Sequence, residues 1–192
     1  MSRFDAAYYN RFYVNPRTRA ASVMDARRQA GFICATLKYL EVPVRRVLDL
    51  GCGLGRTLRA IQREFPSATC VGVEHSKYLC QRYGWQQASA ANYASRTPFD
   101  LVICNDVLPS LDDEECSLAL TNLATLTRGA LFLGAITSED WGRADKGRTD
   151  KNVYLRPATW YRRRLAKHFE RLGGGIYLKK PRQVVLWELD RG

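Results

Sequence analysis

The chain has 192 residues, of which 46% are hydrophobic and 26% are charged, and its formal net charge is +11. This length favours one domain, and this composition excludes global disorder. No apolar run reaches the ~20 residues that a membrane-spanning helix needs, and the N-terminus lacks the apolar core of a signal peptide. We therefore expect a cytoplasmic protein without a membrane partner. The sequence does not determine its oligomeric state.

The charge is segregated along the chain. Residues 1–46 carry +6, residues 47–142 carry −4 and residues 143–192 carry +9. Two basic ends around a mildly acidic centre are typical of a protein with an anionic partner, and nucleic acid is the first candidate. Basic residues on solvated helix faces would give the same pattern, so both interpretations stay open.

Six cysteines occur without a CxxC pair and without histidines at metal-ligand spacing. Several of them lie inside apolar runs. Buried free thiols in a reducing compartment explain this pattern most simply, so we expect no disulfide and no metal site.

The first half of the chain begins with an amphipathic helix. Apolar residues recur at three- and four-residue steps from Ala21 to Leu40, and Pro43 ends the pattern. A short apolar strand at 44–50 leads into a glycine turn. The elements predicted after that turn are a helix at 54–65, a strand at 69–74, a helix at 76–83 and a weak strand at 86–89.

Strands and helices alternate through the second half as well. The predicted order is a strand opening 99–108, a helix at 112–126, a strand at 130–136, a loop at 137–155, a basic helix at 157–169 and closing strands near 176–179 and 183–189. Alternation of this kind predicts an α/β fold with a doubly wound, mostly parallel sheet between two helical layers. A short turn joins the closing strands, so we expect them to be antiparallel at the sheet edge.

The glycine turn DLGCGLGR at residues 49–56 is the strongest motif. Glycines allow positive φ angles and a close approach of ligand to backbone. A Walker loop ends in Gly-Lys-Ser/Thr, whereas this chain has Gly-Arg-Thr after the wrong spacing. The dinucleotide fingerprint GxGxxG also fails, because its sixth position is Arg56. What remains is an acidic residue shortly before GxGxG.

The run VLDLGCGLG resembles motif I of the class I S-adenosylmethionine-dependent methyltransferases. The resemblance covers roughly residues 44–137, with CVGVEHS and PFDLVICNDVL at the expected distances. It implies a Rossmann-like methyltransferase fold with a seven-stranded sheet and an antiparallel edge strand. It also implies S-adenosylmethionine as cofactor and S-adenosylhomocysteine as product. Residues 1–43 would be a helical extension or lid, 44–137 the cofactor-binding core, and 138–192 a basic helix with the final strands.

The resemblance implies cofactor-binding roles at four strand ends. Glu74 would hydrogen-bond both ribose hydroxyls with its two acceptor oxygens. Asp49 would orient the cofactor's ammonium group, or would only brace the turn. The other implied positions are Gly51 and Gly53 against the methionine part, Cys52 as a filler of the turn, His75 flanking the adenine or starting a helix, Ser89 and Ala90 beside the adenine, and Asn105 at the cofactor edge.

The sequence says less about the methyl acceptor than about the cofactor. Because the sulfonium already activates the methyl group, positioning and desolvation supply much of the rate, and no catalytic residue is predicted. The run NDVLP at 105–109 lacks the Pro-Pro-aromatic pattern of exocyclic amine methylation and the Pro-Cys pair of cytosine C5 methylation. Tyr9, Tyr13 and Trp141 are candidate acceptor contacts, although tyrosines of a helix packed on the sheet would look the same.

Three functions of different kinds remain. The favoured one is methyl transfer to an oxygen or nitrogen nucleophile of a small molecule. An anionic metabolite held by arginine side chains is one acceptor of this kind. An RNA methyltransferase is the alternative that the basic ends suggest, and it predicts binding that weakens steeply with salt. A relative of the fold that binds cofactor or partner without turnover is the third.

Overall fold

The computed structural model describes residues 3–186. Its helices are α1 (Ala6–Tyr9), α2 (Val23–Tyr39), α3 (Arg56–Glu64), α4 (Lys77–Tyr83), α5 (Asp113–Leu126), α6 (Ser138–Trp141) and α7 (Ala158–Leu165). Its strands are β1 (Arg46–Leu50), β2 (Thr69–Glu74), β3 (Gln86–Gln87), β4 (Phe99–Asn105), β5 (Thr127–Gly134), β6 (Phe169–Gly173) and β7 (Ile176–Lys179). A π-helical turn covers Asn10–Val14 and a 3₁₀ turn covers Leu108–Ser110.

The strands form one seven-stranded sheet in the order β3-β2-β1-β4-β5-β7-β6. The neighbours from β3 to β5 are parallel, whereas β7 runs antiparallel to both β5 and β6. This confirms the predicted α/β fold and its antiparallel edge. The strand order reverses direction between β1 and β4, which is where open α/β sheets bind ligands.

Both faces of the sheet are buried, as its unbroken apolar strands predict. Successive side chains of a strand point to opposite faces, so Leu48 and Leu50 pack on the core under α5, whereas Val47 packs on the core under α2 and α3. The same alternation continues along β4 and β5. Two helical layers therefore hold the sheet rigidly and fix the strand ends that form the site.

The closing elements differ from the prediction. The basic helix ends at Leu165, and a strand that was not predicted, β6, begins at Phe169. Gly173–Gly175 adopt positive φ angles of 129°, 55° and 84° and form the hairpin turn between β6 and β7. The expected strand at 183–189 was wrong for residues 183–186, which form no strand. Residues 187–189 lie outside the described residues.

Smaller differences concern β5 and the segment that follows it. β5 begins at Thr127, directly after α5, rather than at residue 130. The predicted loop at 137–155 contains α6, which Thr137 caps by accepting a hydrogen bond from the Asp140 N–H at 3.2 Å. None of the helices within residues 3–186 is long and apolar enough to cross a membrane.

Candidate functional site

The carboxyl ends of β1, β2 and β4 open into a cavity of about 250 Å³. The predicted site residues that line it are Tyr9, Tyr13, Gly51, Gly53, Glu74, His75, Ala90 and Asn105. The predicted residues that do not line it are Asp49, Cys52, Ser89 and Trp141. The sheet's topology thus collects residues far apart in sequence at one edge, as the rule for open α/β sheets requires.

The glycine turn forms one wall of the cavity. Gly51 and Gly53 have φ angles of 83° and 51°, which disfavour any residue with a Cβ atom. The N–H groups of Gly51 and Cys52 donate to the carbonyl of Val73, at 2.8 and 3.0 Å, and tie the turn to β2. Apart from Gly53 and its two chain neighbours, no heavy atom of residues 3–186 lies within 4 Å of the position that a Cβ on Gly53 would take. The turn therefore leaves an open cradle against the backbone.

Glu74 lies at the end of β2, opposite this cradle, and only 6% of its surface is exposed. Its Oε2 accepts a hydrogen bond from the Gly53 N–H at 2.8 Å. Its Oε1 accepts from the N–H groups of His75 and Ser76 at 2.8 and 2.9 Å, and more distantly from the Tyr9 hydroxyl at 3.4 Å. These bonds fix the carboxylate at the cavity wall and join the ends of β1 and β2.

Asp49 is buried behind the turn, with 4% of its surface exposed. Burial, and after it the negative charge of Glu74, raise the pKa of Asp49 to about 7, while a backbone hydrogen bond from Leu58 acts in the opposite direction. The turn's own N–H groups bond to Val73 and Glu74. Asp49 accepts its own hydrogen bond from Leu58 in the first turn of α3, so it shares the bracing of this region with those acceptors.

Replacing Asp49 with asparagine should change how stability depends on pH. The pKa of Asp49 is about 7 in the native state and about 3.9 in an unfolded chain. Between these values the unfolded state has lost a proton that the native state keeps, so native stability falls as the pH rises from about 4 to 7. At 1.36 kcal/mol per unit, the loss approaches about 4 kcal/mol above pH 7.

Urea denaturation across this pH range checks the expectation. The Asp49→Asn variant should gain stability relative to the unmodified protein as the pH rises, with a plateau above about pH 7. Glu114→Gln, which changes an exposed carboxylate of α5, serves as the control and should give a constant difference. A difference between Asp49→Asn and the unmodified protein that does not vary with pH would contradict the raised pKa.

The N-terminal segment covers the cavity with aromatic rings. Tyr8 and Tyr9 pack edge-on at 5.3 Å, and the Tyr9 and Tyr13 rings lie 5.6 Å apart. The segment is fastened at two points. The Ser76 hydroxyl donates to the Phe4 carbonyl at 2.6 Å, and the Tyr8 hydroxyl donates to Asp150 at 3.2 Å. The aromatic residues thus form a roof over the glycine turn and Glu74.

Asp150 holds the roof to the segment before α7, and sequence reasoning missed it. Arg3 makes a 2.8 Å ion pair with Asp150 and also donates to the Asn152 carbonyl. Burial alone would raise the pKa of Asp150, but bonds from the Asn152 N–H and from Arg3 outweigh it and lower the pKa. Nothing local in the sequence pairs residue 3 with residue 150, so no pattern could have found this contact.

Asp106 is a second residue that sequence reasoning missed. It follows β4, lines the cavity and has a positive φ of 58°. Its N–H donates to the Gly134 carbonyl at 2.8 Å, and its carboxylate accepts from the Asn105 amide at 3.2 Å. Enclosure by the cavity walls raises the pKa of Asp106, and the Asn105 hydrogen bond acts in the opposite direction.

Arg156 supports the segment after β4 from below and was also missed. Only 3% of its surface is exposed. It donates to the carbonyls of Leu108 and Leu111 at 3.2 and 2.6 Å, and to Asp113 at 2.7 Å. These bonds satisfy a buried guanidinium and hold the 3₁₀ turn whose Pro109 and Ser110 line the cavity.

The remaining predicted residues lie outside the cavity. Cys52 is buried, and burial raises the pKa of its thiol, which suits a filler rather than a nucleophile. Ser89 donates its N–H to Asn92 at 3.0 Å, and Trp141 is half-buried on α6. All six cysteines are free thiols. No group of three potential metal ligands occurs within the described part of the chain.

Comparison with known protein families shows which family this chain belongs to. A family model described as a methyltransferase domain matches residues 24–174, which include six of the seven strands, β1 to β6, but not β7. The chain belongs to this family. The match confirms the class I S-adenosylmethionine-dependent methyltransferase family predicted from the glycine turn and the strand ends that follow it.

Individual relatives agree with this assignment. A trans-aconitate 2-methyltransferase of Methylobacterium radiotolerans is 32% identical over 120 residues, covering 59% of this chain and 42% of that protein. One from Azoarcus sp. is 30% identical over 59% of this chain and 43% of its own length. The chain therefore spans about two fifths of the length of these curated relatives.

Solved structures share the fold at low sequence identity. Streptomyces venezuelae DesVI has a TM-score of 0.63 at 16% identity, covering 81% of this chain and 91% of that one. The sugar N-methyltransferase KedS8 from Streptoalloteichus also has a TM-score of 0.63, at 18% identity, over 81% of this chain and 87% of that one. These likenesses concern the sheet and its helices.

Proposed function

We propose that this methyltransferase domain transfers the methyl group of S-adenosylmethionine to an oxygen or nitrogen atom of a small molecule. One observation carries the proposal. The glycine cradle at residues 51–53 and the buried carboxylate of Glu74 face the same cavity. A bound S-adenosylmethionine would supply a methyl group that its sulfonium makes electrophilic. The residues of the chain have to bind, orient and shield it.

The cavity wall suits this cofactor. Glu74 offers acceptor oxygens to a vicinal diol, and its 3.4 Å contact with Tyr9 is weak enough for a ligand hydroxyl to replace. The open space at Gly53 accommodates a chain against the backbone. Asp49 is buried close enough to Glu74 to feel its charge, so an ammonium group nearby would lower its raised pKa. Asn105, Ala90 and His75 complete the proposed cofactor contacts.

A small acceptor fits the roofed cavity better than a polymer does. The volume of the cavity, about 250 Å³, lies just below the range of about 300–1,000 Å³ that is typical of small-molecule pockets. Aromatic rings line the cavity, and a ligand that displaces water from them would strengthen electrostatic interactions with the reacting groups. The curated relatives are named for trans-aconitate, a small carboxylate. RNA remains the alternative that the basic ends favour, and Trp141 and the three-part division of the chain remain predictions.

Transfer of a radiolabelled methyl group into cell extract tests the proposed function. After incubation with labelled S-adenosylmethionine, the extract is separated into metabolite, RNA and protein fractions. We expect label in the metabolite fraction only. Label in RNA, lost steeply as salt rises, would favour the polyanion alternative, and no label in any fraction would favour a relative without turnover. Heat-denatured protein serves as the control.

A further inference from the structure

We propose that the methyl acceptor is an amine and that Asp106 is the carboxylate that binds it and takes its proton. The inference rests on the proposed function and narrows its substrate class. It starts from the placement of Asp106, whose carboxylate is accessible from the cavity under the aromatic roof. Asp106 is not assigned to the cofactor by any of the contacts described above.

The charges in the cavity favour a cationic or neutral acceptor over an anionic one. Glu74, Asp106 and Asp150 line the cavity, and Arg3 is the only Arg or Lys side chain among its described lining residues. Arg3 is paired with Asp150 at 2.8 Å, and Glu74 is bound by backbone N–H groups. Asp106 has an amide donor, and no ion pair joins it to a cation within residues 3–186. An ammonium group would supply that charge.

A relay of side chains aims Asp106 into the cavity. The Thr57 hydroxyl donates to the Gln29 Oε1 at 3.4 Å, and the Gln29 amide donates to the Asn105 Oδ1 at 3.2 Å. Asn105 in turn donates to Asp106 at 3.2 Å. Asp106 has a left-handed φ of 58°, which Asp and Asn tolerate better than other residues with a Cβ atom and which occurs often at active sites. Residues of α2 and α3 thus fix the carboxylate that β4 delivers.

The roof adds a second feature that suits an ammonium group. Tyr8 and Tyr13 line the same cavity as Asp106. Burial, and after it the charge of Asp106, raise the pKa of the Tyr13 hydroxyl, whereas burial and Asp150 come before Asp106 in raising the pKa of Tyr8. The faces of aromatic rings attract cations, most strongly where water is excluded. A carboxylate beneath aromatic rings is a combination that binds ammonium ions and repels carboxylates.

The chemistry of this arrangement balances. A bound ammonium ion gives one proton to the Asp106 carboxylate, which frees the lone pair on nitrogen. That pair forms the bond to the methyl carbon while the carbon–sulfur bond breaks and its electrons stay on sulfur. The product is a methylated ammonium ion, and Asp106 returns its proton to water. The position of Asp106 in the cavity raises its pKa, although part of its surface is open to solvent, and this makes it a stronger base than an aspartate with the ordinary pKa.

Three probes with one ring and different charges test the inference. Benzylamine, benzyl alcohol and benzoate are titrated by calorimetry into the protein saturated with S-adenosylhomocysteine, at a pH where benzylamine is protonated. We expect benzylamine to bind at least about tenfold more tightly than the other two. The Asp106→Asn variant should lose about tenfold in benzylamine affinity and little in benzyl alcohol affinity.

The variants separate this inference from the proposed function. Asparagine tolerates left-handed φ angles, so Asp106→Asn should fold and keep its affinity for S-adenosylhomocysteine within about twofold. Glu114→Gln is the matched control. Tighter binding of benzoate than of benzylamine, or unchanged benzylamine binding in Asp106→Asn, would overturn the inference. The inference would also be overturned if Asp106→Asn lost affinity for S-adenosylmethionine but kept its affinities for S-adenosylhomocysteine and benzylamine, since Asp106 would then face the sulfonium. Failure of the unmodified protein to bind S-adenosylhomocysteine would instead overturn the proposed function.

Discussion

Replacing Glu74 with glutamine should weaken binding of S-adenosylhomocysteine by at least about tenfold, because a charged acceptor of ligand hydroxyls becomes a neutral amide. The amide would also present a donor to one of the N–H groups that Glu74 now accepts from, those of Gly53, His75 and Ser76. Part of the loss would therefore reach the turn itself. Isothermal titration calorimetry measures the affinity, and circular dichroism checks that the variant is folded.

A matched control separates the contact from the loss of a negative charge. Glu114→Gln removes the same charge from an exposed position in the first turn of α5 and should leave the affinity unchanged. A folded Glu74→Gln variant with the affinity of the unmodified protein would show that the carboxylate does not contact the ligand.

Replacing Gly51 with alanine should destabilise the protein by about 2–5 kcal/mol. The φ of 83° costs an alanine about 1–2 kcal/mol, and its Cβ would overlap Cγ2 of Val107, which adds about 1–3 kcal/mol. Urea denaturation measures the free energy of unfolding. Gly142→Ala is the control, because Gly142 has a φ of −63° and open space around the position of a Cβ.

A double variant divides the cost of Gly51→Ala into its two causes. Adding Val107→Ala removes the overlapping methyl group but leaves the φ angle at residue 51. The free energies of unfolding should therefore be non-additive, and the double variant should recover only the stability that the steric overlap costs. Equal stability of Gly51→Ala and Gly142→Ala would contradict the close approach of the turn to the segment after β4. It would also remove the physical reason for a glycine at this position.

The centre of the fold follows from local sequence, and the edges do not. Residues 69–74 were predicted with the bounds that β2 has, because its run of small and apolar residues becomes fully buried toward its carboxyl end and stops at a charged residue. The strand at Phe169–Gly173 was not predicted, and the basic helix predicted at 157–169 ran into its first residue. Its sequence FERLG shows no alternation of apolar and polar residues, and only the pairing with β7 identifies it as a strand.

The candidate site likewise contains residues that local sequence predicts and residues that only the folded structure brings together. Glu74 was identified because it follows a strand at a fixed distance from the glycine turn, and both features are local. Asp106 was visible in the sequence, but its left-handed conformation and its relay to Gln29 depend on packing between α2 and β4. Asp150 and Arg156 depend on contacts across the fold, which no spacing rule predicts.

A crystal structure with S-adenosylhomocysteine tests the central claim most directly. We expect the ribose hydroxyls within hydrogen-bonding distance of Glu74, and the amino-acid part of the ligand against Gly51 and Gly53. The Tyr9 hydroxyl should then have left Glu74, whose Oε1 it approaches at 3.4 Å in the structure described above. A ligand bound elsewhere, or a cavity in which Tyr9 still contacts Glu74 at saturating ligand, would contradict the account.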